Sequence, residues 1–260
     1  MIDTHAHLYL DAFDEDREAV VERCRLAGIR EIWLPGIHAD SLHSMDILSG
    51  GHPGYFRLFA GLHPCEIEAD FHEQLSRIAT AIESGRYAGI GEIGLDLYWD
   101  KTHLAEQIEA LTFQLDLALR FGLPIILHVR DAFDEILPLI RSYYGRGLRG
   151  IFHSFAGTLD QALELTEQGF LLGINGSVTF KRSFLATFLN QLPLTSLVTE
   201  TDCPYLSPVP LRGKRNEPAN IPLIIQFMAD CYQLPAADIR SHCLTNALGL
   251  FAASKKVVAG

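Results

Sequence analysis

Apolar residues along this chain fall into two alternating patterns. Nearly continuous apolar runs cover residues 30–34, 56–62, 87–93, 124–129, 148–152, 170–174 and 196–199, and a shorter one opens the chain within residues 1–8. Between them, residues 14–27, 69–84, 102–121, 131–144, 158–168 and 181–190 carry apolar positions at helical spacing. So does a segment that Asp40 or Ser41 can cap and that fades at Gly50-Gly51. Gly28, Gly122 and Gly169 follow three of these segments, as a helix C-terminus favours. Pro138 predicts a kink in the segment over 131–144. Runs apolar on both faces, alternating with amphipathic helices, predict a parallel sheet covered by helices. Eight such units in roughly 200 residues predict an α/β fold, a closed (β/α)8 TIM barrel. A doubly wound open sheet is the alternative, but it does not need eight strands. Residues 203–219 read as a loop, helices near 222–232 and 236–251 as extra C-terminal elements, and 254–260 as a frayed tail. No linker, low-complexity stretch or repeat divides the chain, so one domain over 1–260 is expected.

Composition narrows the class. Of the 260 residues 48% are hydrophobic, enough for a sizeable core. No window approaches the ~18–20 unbroken apolar residues of a membrane span, and no basic segment precedes an apolar stretch at the start, as a secretory signal requires. Cys24, Cys65, Cys203, Cys231 and Cys243 are scattered without a CxxC. That pattern predicts a reducing compartment, the cytoplasm by default. The net charge of −11, from 21 basic and 32 acidic residues, argues against general nucleic-acid affinity. An anionic substrate would need local basic residues or bound cations.

In such a barrel the active site lies at the C-terminal ends of the strands. There the sequence places His5 and His7 on strand one, His63 on three, Glu92 on four, His128 on five, His153 on six and Asp202 on eight. If the first run is a strand, His5 and His7 face one side about 6–7 Å apart along the chain. His38, His43, His52, His72, His103 and His242 fall in loops or helices away from strand ends and read as solvated or hydrogen-bonded. Imidazoles with two carboxylates suit a site for two divalent cations: imidazole favours Zn, Fe, Ni or Mn, and carboxylate with water favours Mg or Mn. A glutamate can bridge two ions, and Glu92 sits mid-barrel where a bridge belongs. Such a pair can activate a shared water and clamp a phosphate, with Asp202 as ligand and proton acceptor.

His5-Ala6-His7, Gly61-Leu62-His63-Pro64, Gly91-Glu92-Ile93-Gly94-Leu95-Asp96, His128-Val129-Arg130, His153-Ser154-Phe155 and Glu200-Thr201-Asp202-Cys203-Pro204-Tyr205-Leu206 resemble the TatD family of metal-dependent deoxyribonucleases. The likeness runs from residue 1 to about 250 in the same order and includes Arg215-Asn216-Glu217-Pro218. It implies an amidohydrolase-type TIM barrel, with His5, His7, Glu92 and Asp202 around one ion and Glu92, His128 and His153 around the other. It also implies hydrolysis of DNA phosphodiesters, often from a 3′ end, with Mg, Mn or Zn as the cation. No motif ligand is missing.

The expected mouth of the barrel offers phosphate contacts at Arg130, Lys181-Arg182, Arg212, Lys214 and Arg215, since loops after strands seven and eight recurrently bind phosphate in this fold. An ordinary solvated loop is the plainer account of Arg212–Arg215. His63 could donate to a phosphate oxygen or the leaving group, or simply serve the turn before Pro64. Tyr98, Trp99 and Tyr205 could stack on bases or pack in the core. A short basic mouth suits DNA ends or a small phosphoester rather than a long duplex, and nothing marks a membrane or protein partner. A hydrolase of an amide, lactone or small phosphoester on the same metals is the alternative function. Glu92, where many such relatives carry a modified lysine, argues against the carbonyl substrates. A purely structural metal site would be closed and four-coordinate, whereas six candidate ligands over two ions leave positions open. Cys203, between acidic neighbours, reads as packing rather than as a nucleophile.

Overall fold

Each apolar run becomes a strand that pairs in parallel with its sequence neighbours. The strands are β1 (Ile2–Asp3), β2 (Glu31–Pro35), β3 (Phe56–Ala60), β4 (Gly89–Asp96), β5 (Ile125–Arg130), β6 (Gly150–Phe152), β7 (Leu171–Ile174) and β8 (Leu197–Thr199). They follow one another in order around one eight-stranded sheet. The Thr4 amide donates to the Thr199 carbonyl at 3.1 Å, and Ala6 bridges Cys203 in parallel, so the two edges meet. The fold is a (β/α)8 TIM barrel. The computed structural model describes residues 1–99 and 101–252; the tail expected over 254–260 lies outside the described residues.

Helices α1 (Arg17–Leu26), α2 (Ser41–Gly51), α3 (Phe71–Glu83), α4 (Leu104–Phe121), α5 (Phe133–Arg141) and α6 (Leu159–Glu167) cover the sheet, followed by α7 (Ile221–Tyr232) and α8 (Ala236–Ala252). Local chemistry sets several ends. Thr158 and Gln161 form a reciprocal capping box at the start of α6, and Gly122 takes the left-handed conformation that ends α4.

The helix expected over 181–190 does not form. Two isolated 3-10 turns stand there, Leu185–Thr187 and Leu189–Gln191. The chain breaks at Phe188 (φ −136°), and Leu185, Phe188, Leu189 and Leu192 are all buried. The Tyr232 hydroxyl lies 2.6 Å from the Leu189 carbonyl and 2.8 Å from that of Leu192. Side-chain burial and an outside donor thus satisfy this crossover without a helical ladder.

Alternation along the strands builds the barrel interior in layers. Ile2, Trp33, Phe59, Ile126, Ile151, Leu171 and Val198 form one apolar cluster with Ala247 and Leu250 of α8. The C-terminal helix therefore closes the floor of the barrel, and Arg57 lies over its Phe251 ring at 4.1 Å. Two residues further along, on the same strand faces, come His128, His153 and Glu200. The site rests on this floor. No helix among the described residues is long and apolar enough to cross a membrane.

Candidate metal centre

Past β1 the chain runs between two neighbours. The Ala6 amide donates to the Trp33 carbonyl and the His7 amide to the Cys203 carbonyl. Because the regular strand ends at Asp3, the strand-based spacing of His5 and His7 does not apply to their rings. Their Nε2 atoms converge to 3.0 Å, with both residues buried. Across the barrel, Gly94 has φ +145° and lies so near the His128 carbonyl that a Cβ would collide with it. That close approach brings β4, with Glu92, against β5, with His128. Gly173 likewise leaves room for the Glu200 carboxylate.

Glu92 stands at the centre. Its Oε2 lies 3.1 Å from His5 Nε2 and 3.5 Å from His7 Nε2. Its Oε1 lies 2.9 Å from His128 Nδ1, 3.0 Å from His153 Nε2 and 3.4 Å from His63 Nε2. Asp202 Oδ1 is 3.6 Å from His7 Nε2 and 3.7 Å from His5 Nε2. Three overlapping sets, His5-His7-Glu92, His5-His153-Asp202 and His63-Glu92-His128, could each hold an ion, with donor atoms within 4.8 Å of one another.

The far side of each ring indicates where its lone pair points. The Tyr9 hydroxyl donates to the Pro35 carbonyl, so it accepts from His7 Nδ1 at 2.9 Å. His153 Nδ1 donates to Glu200 at 3.2 Å, and His128 Nε2 donates to Asp96 at 2.9 Å. The lone pairs of His7 Nε2, His153 Nε2 and His128 Nδ1 are thereby aimed inward, with the last two only 3.4 Å apart. Neighbouring ligands of a tetrahedral ion at ~2.1 Å stand about 3.4 Å from one another. The donor set fits divalent cations. His63 differs: its Nδ1 accepts from the Cys65 amide at 3.1 Å, which leaves the proton on Nε2, facing the cluster as a donor.

Charge follows the same layout. Burial, the largest influence, works against ionising Glu92, yet the surrounding imidazoles hold its carboxyl well below the usual range. Burial likewise opposes the charged forms of His7, His128 and His153, but Tyr9, Asp202 and Glu92 around His7, Asp96 and Glu92 around His128, and Glu92 and Glu200 around His153 raise all three. Burial keeps His5 and His63 below the ordinary imidazole value. Asp96 is held at about 2: partial burial pushes upward, and the His128 contact outweighs it. Asp202 is lowered despite its burial, chiefly by His7.

Above the cluster opens a cavity of about 660 Å³, lined among others by His7, His63, Glu92, His128, Arg130, His153, Asp202 and Tyr205, a size suited to a small-molecule or terminal-residue site. Arg130 stacks over Tyr98 at 3.7 Å. Tyr98, Trp99 and Tyr205 are all exposed. Lys181 and Arg212 line an adjoining cavity and Lys214 a third. Arg215, also at the third, is committed elsewhere, to the Ala12 carbonyl and to Asp16 at 2.6 and 2.7 Å. Cys203 is buried, and burial followed by Asp3 pushes its thiol up. The remaining histidines, at 38, 43, 52, 72, 103 and 242, belong to none of the donor sets among the described residues.

Tyr9, Asp96 and Glu200 were not singled out by the strand-end pattern. Asp96 and Glu200 occur inside the quoted motifs, but a residue that orients a ligand carries no periodic signal of its own.

A family model described as TatD related DNase matches residues 2–252. The chain is 32% identical over 255 residues to the uncharacterized metal-dependent hydrolase YabD of Bacillus subtilis, covering 96% of this chain and 98% of that protein. It is 34% identical over 239 residues to the 3'-5' ssDNA/RNA exonuclease TatD of Pectobacterium atrosepticum, covering 88% and 91%. The crystal structure of YjjV, a TatD homologue from Escherichia coli, superposes with a TM-score of 0.88 at 30% identity, over 97% of this chain and 98% of that one.

Proposed function

Because the chain belongs to the TatD related DNase family and is a metal-dependent hydrolase acting on ester bonds, we propose that it removes nucleotides from the 3′ ends of single-stranded DNA. The observation that carries this reading is the position of Glu92, whose two oxygens face two different sets of imidazoles. One carboxylate between two donor sets suits a pair of ions: His5, His7, Glu92 and Asp202 would hold one, and Glu92, His128 and His153 the other. Bound there, divalent cations supply Lewis acidity toward a phosphate and lower the pKa of water.

The chain's own groups do the rest. Asp202, ionised and at the edge of the cavity, accepts the proton of the attacking water. The Nε2–H of His63 faces the same space and donates to a phosphate or leaving oxygen. Arg130, backed by Tyr98, offers a cation to the phosphate. The bond broken joins phosphorus to the 3′ oxygen of the preceding nucleotide, and a 5′-mononucleotide leaves.

The test uses a single-stranded oligonucleotide labelled at its 5′ end. Chelator-stripped protein receives Mg, Mn or Zn singly, beside Glu92→Ala. A metal-dependent ladder shortening from the 3′ end, absent in the variant, is expected. Metal binding without cleavage under any ion would overturn the nuclease reading and favour a small ester substrate.

A further inference from the structure

The second cavity, of about 470 Å³, shares Ala156 and Ser177 with the lining of the metal cavity, so the two form one connected cleft. It occupies the place where the expected crossover helix is missing. Its wall carries Lys181, Arg182 and Arg212, all exposed and none ion-paired with a carboxylate among the described residues. Arginines on the outer helices behave otherwise: Arg23 pairs with Asp16 and Glu217, and Arg141 with Glu164. Unpaired cations gathered in one cavity of a −11 chain make a local positive field. Two aromatic rings stand among them. Phe184 is 62% exposed, and Phe180 lies under the Arg212 guanidinium at 4.7 Å.

Cations beside open aromatic faces match a nucleotide, with phosphate on the former and base on the latter. We propose that this cavity is a subsite for the nucleotide on the 5′ side of the scissile bond. It takes that nucleotide's base on Phe184 and its 5′ phosphodiester between Lys181 and Arg212. The direction rests on the 3′-exonuclease reading above: if the terminal nucleotide lies over the metal centre, the rest of the strand must leave through a connected opening. Recognition of this kind uses backbone charge and stacking, so it accepts any sequence.

The experiment compares kcat/KM on single strands of two, three and eight nucleotides. A dinucleotide lacks the phosphodiester that Lys181 and Arg212 would hold; a trinucleotide has it. In the wild-type protein kcat/KM should step up about ten-fold between two and three nucleotides. A Lys181→Ala/Arg212→Ala double variant should lose that step. Its plot of log kcat/KM against log salt for the eight-nucleotide strand should be shallower by about 1.4, from about 0.7 per phosphate contact. Phe184→Ala should lose about ten-fold on the longer strands, and Phe184→Trp should restore it. Variants matching the wild type at every length and salt concentration would overturn the subsite alone. A wild-type protein that cleaves none of the strands would overturn the nuclease reading, and the subsite with it.

Discussion

Replacing Glu92 by alanine removes both oxygens around which the imidazoles are gathered, so hydrolysis should fall by more than about a hundred-fold, beyond the usual effect of losing an outer partner of a metal ligand. Added divalent cation should also raise its Tm less than that of the wild type; unchanged turnover would remove Glu92 from the centre. Asp202→Asn should keep much of the metal, measured by elemental analysis, while kcat drops by about 10²–10⁴ as expected for a lost general base. Asp96→Asn can present an amide N–H to His128 and so spoil its tautomer. Metal affinity should weaken about 10–100-fold, with the far-ultraviolet spectrum intact. Titration gives an independent check. His7, His128 and His153 all have raised pKa values, so near neutrality they hold protons where a cation would sit. Metal uptake must release those protons, and affinity should climb as pH rises through and above about 6.5. Calorimetry in buffers of differing ionisation enthalpy reads this directly, and pH-independent affinity would contradict it. The donors themselves were legible in the sequence because each ends a strand. The far-side partners were not, because Tyr9, Asp96 and Glu200 act through the direction of one N–H.

At the scale of elements, apolar runs and glycine stops located the strands and most helices, since burial on both faces leaves a strong mark. Failures occurred where tertiary contacts overrode pattern. The crossover before β8 had helical spacing but became two short turns once Phe188 and Leu189 were drawn inward. The first strand proved to be only Ile2–Asp3, because beyond it the chain bonds alternately to β2 and to the segment after β8. Close packing of β4 on β5 depends on Gly94, a requirement written in no hydrophobic pattern. Gly94→Ala should destabilise the protein by ~1–3 kcal/mol through its backbone conformation alone, with the collision at the His128 carbonyl adding to that. Urea denaturation of the metal-free protein measures it, and a midpoint equal to that of the wild type would count against this packing account.

For the whole molecule, the layered interior separates stability from chemistry. Trp33 is fully buried in the floor, beneath the donor layer and against α8. Trp33→Ala should cost about 3–5 kcal/mol, yet the fraction that remains folded, assayed well below its Tm, should turn over close to the wild-type rate. A large loss in kcat per folded molecule would show that floor and site are not separable. The seam between β1 and the segment after β8 has a different consequence, one for synthesis. Asp3 accepts hydrogen bonds from Thr201, and the His5 carbonyl accepts the amide of Asp202, nearly two hundred residues later. A chain growing on the ribosome therefore carries His5 and His7 from the outset but cannot set them in place until β8 and its following residues have left the exit tunnel. Prematurely terminated products are inert by construction, and a DNA-degrading activity is withheld until translation is almost complete.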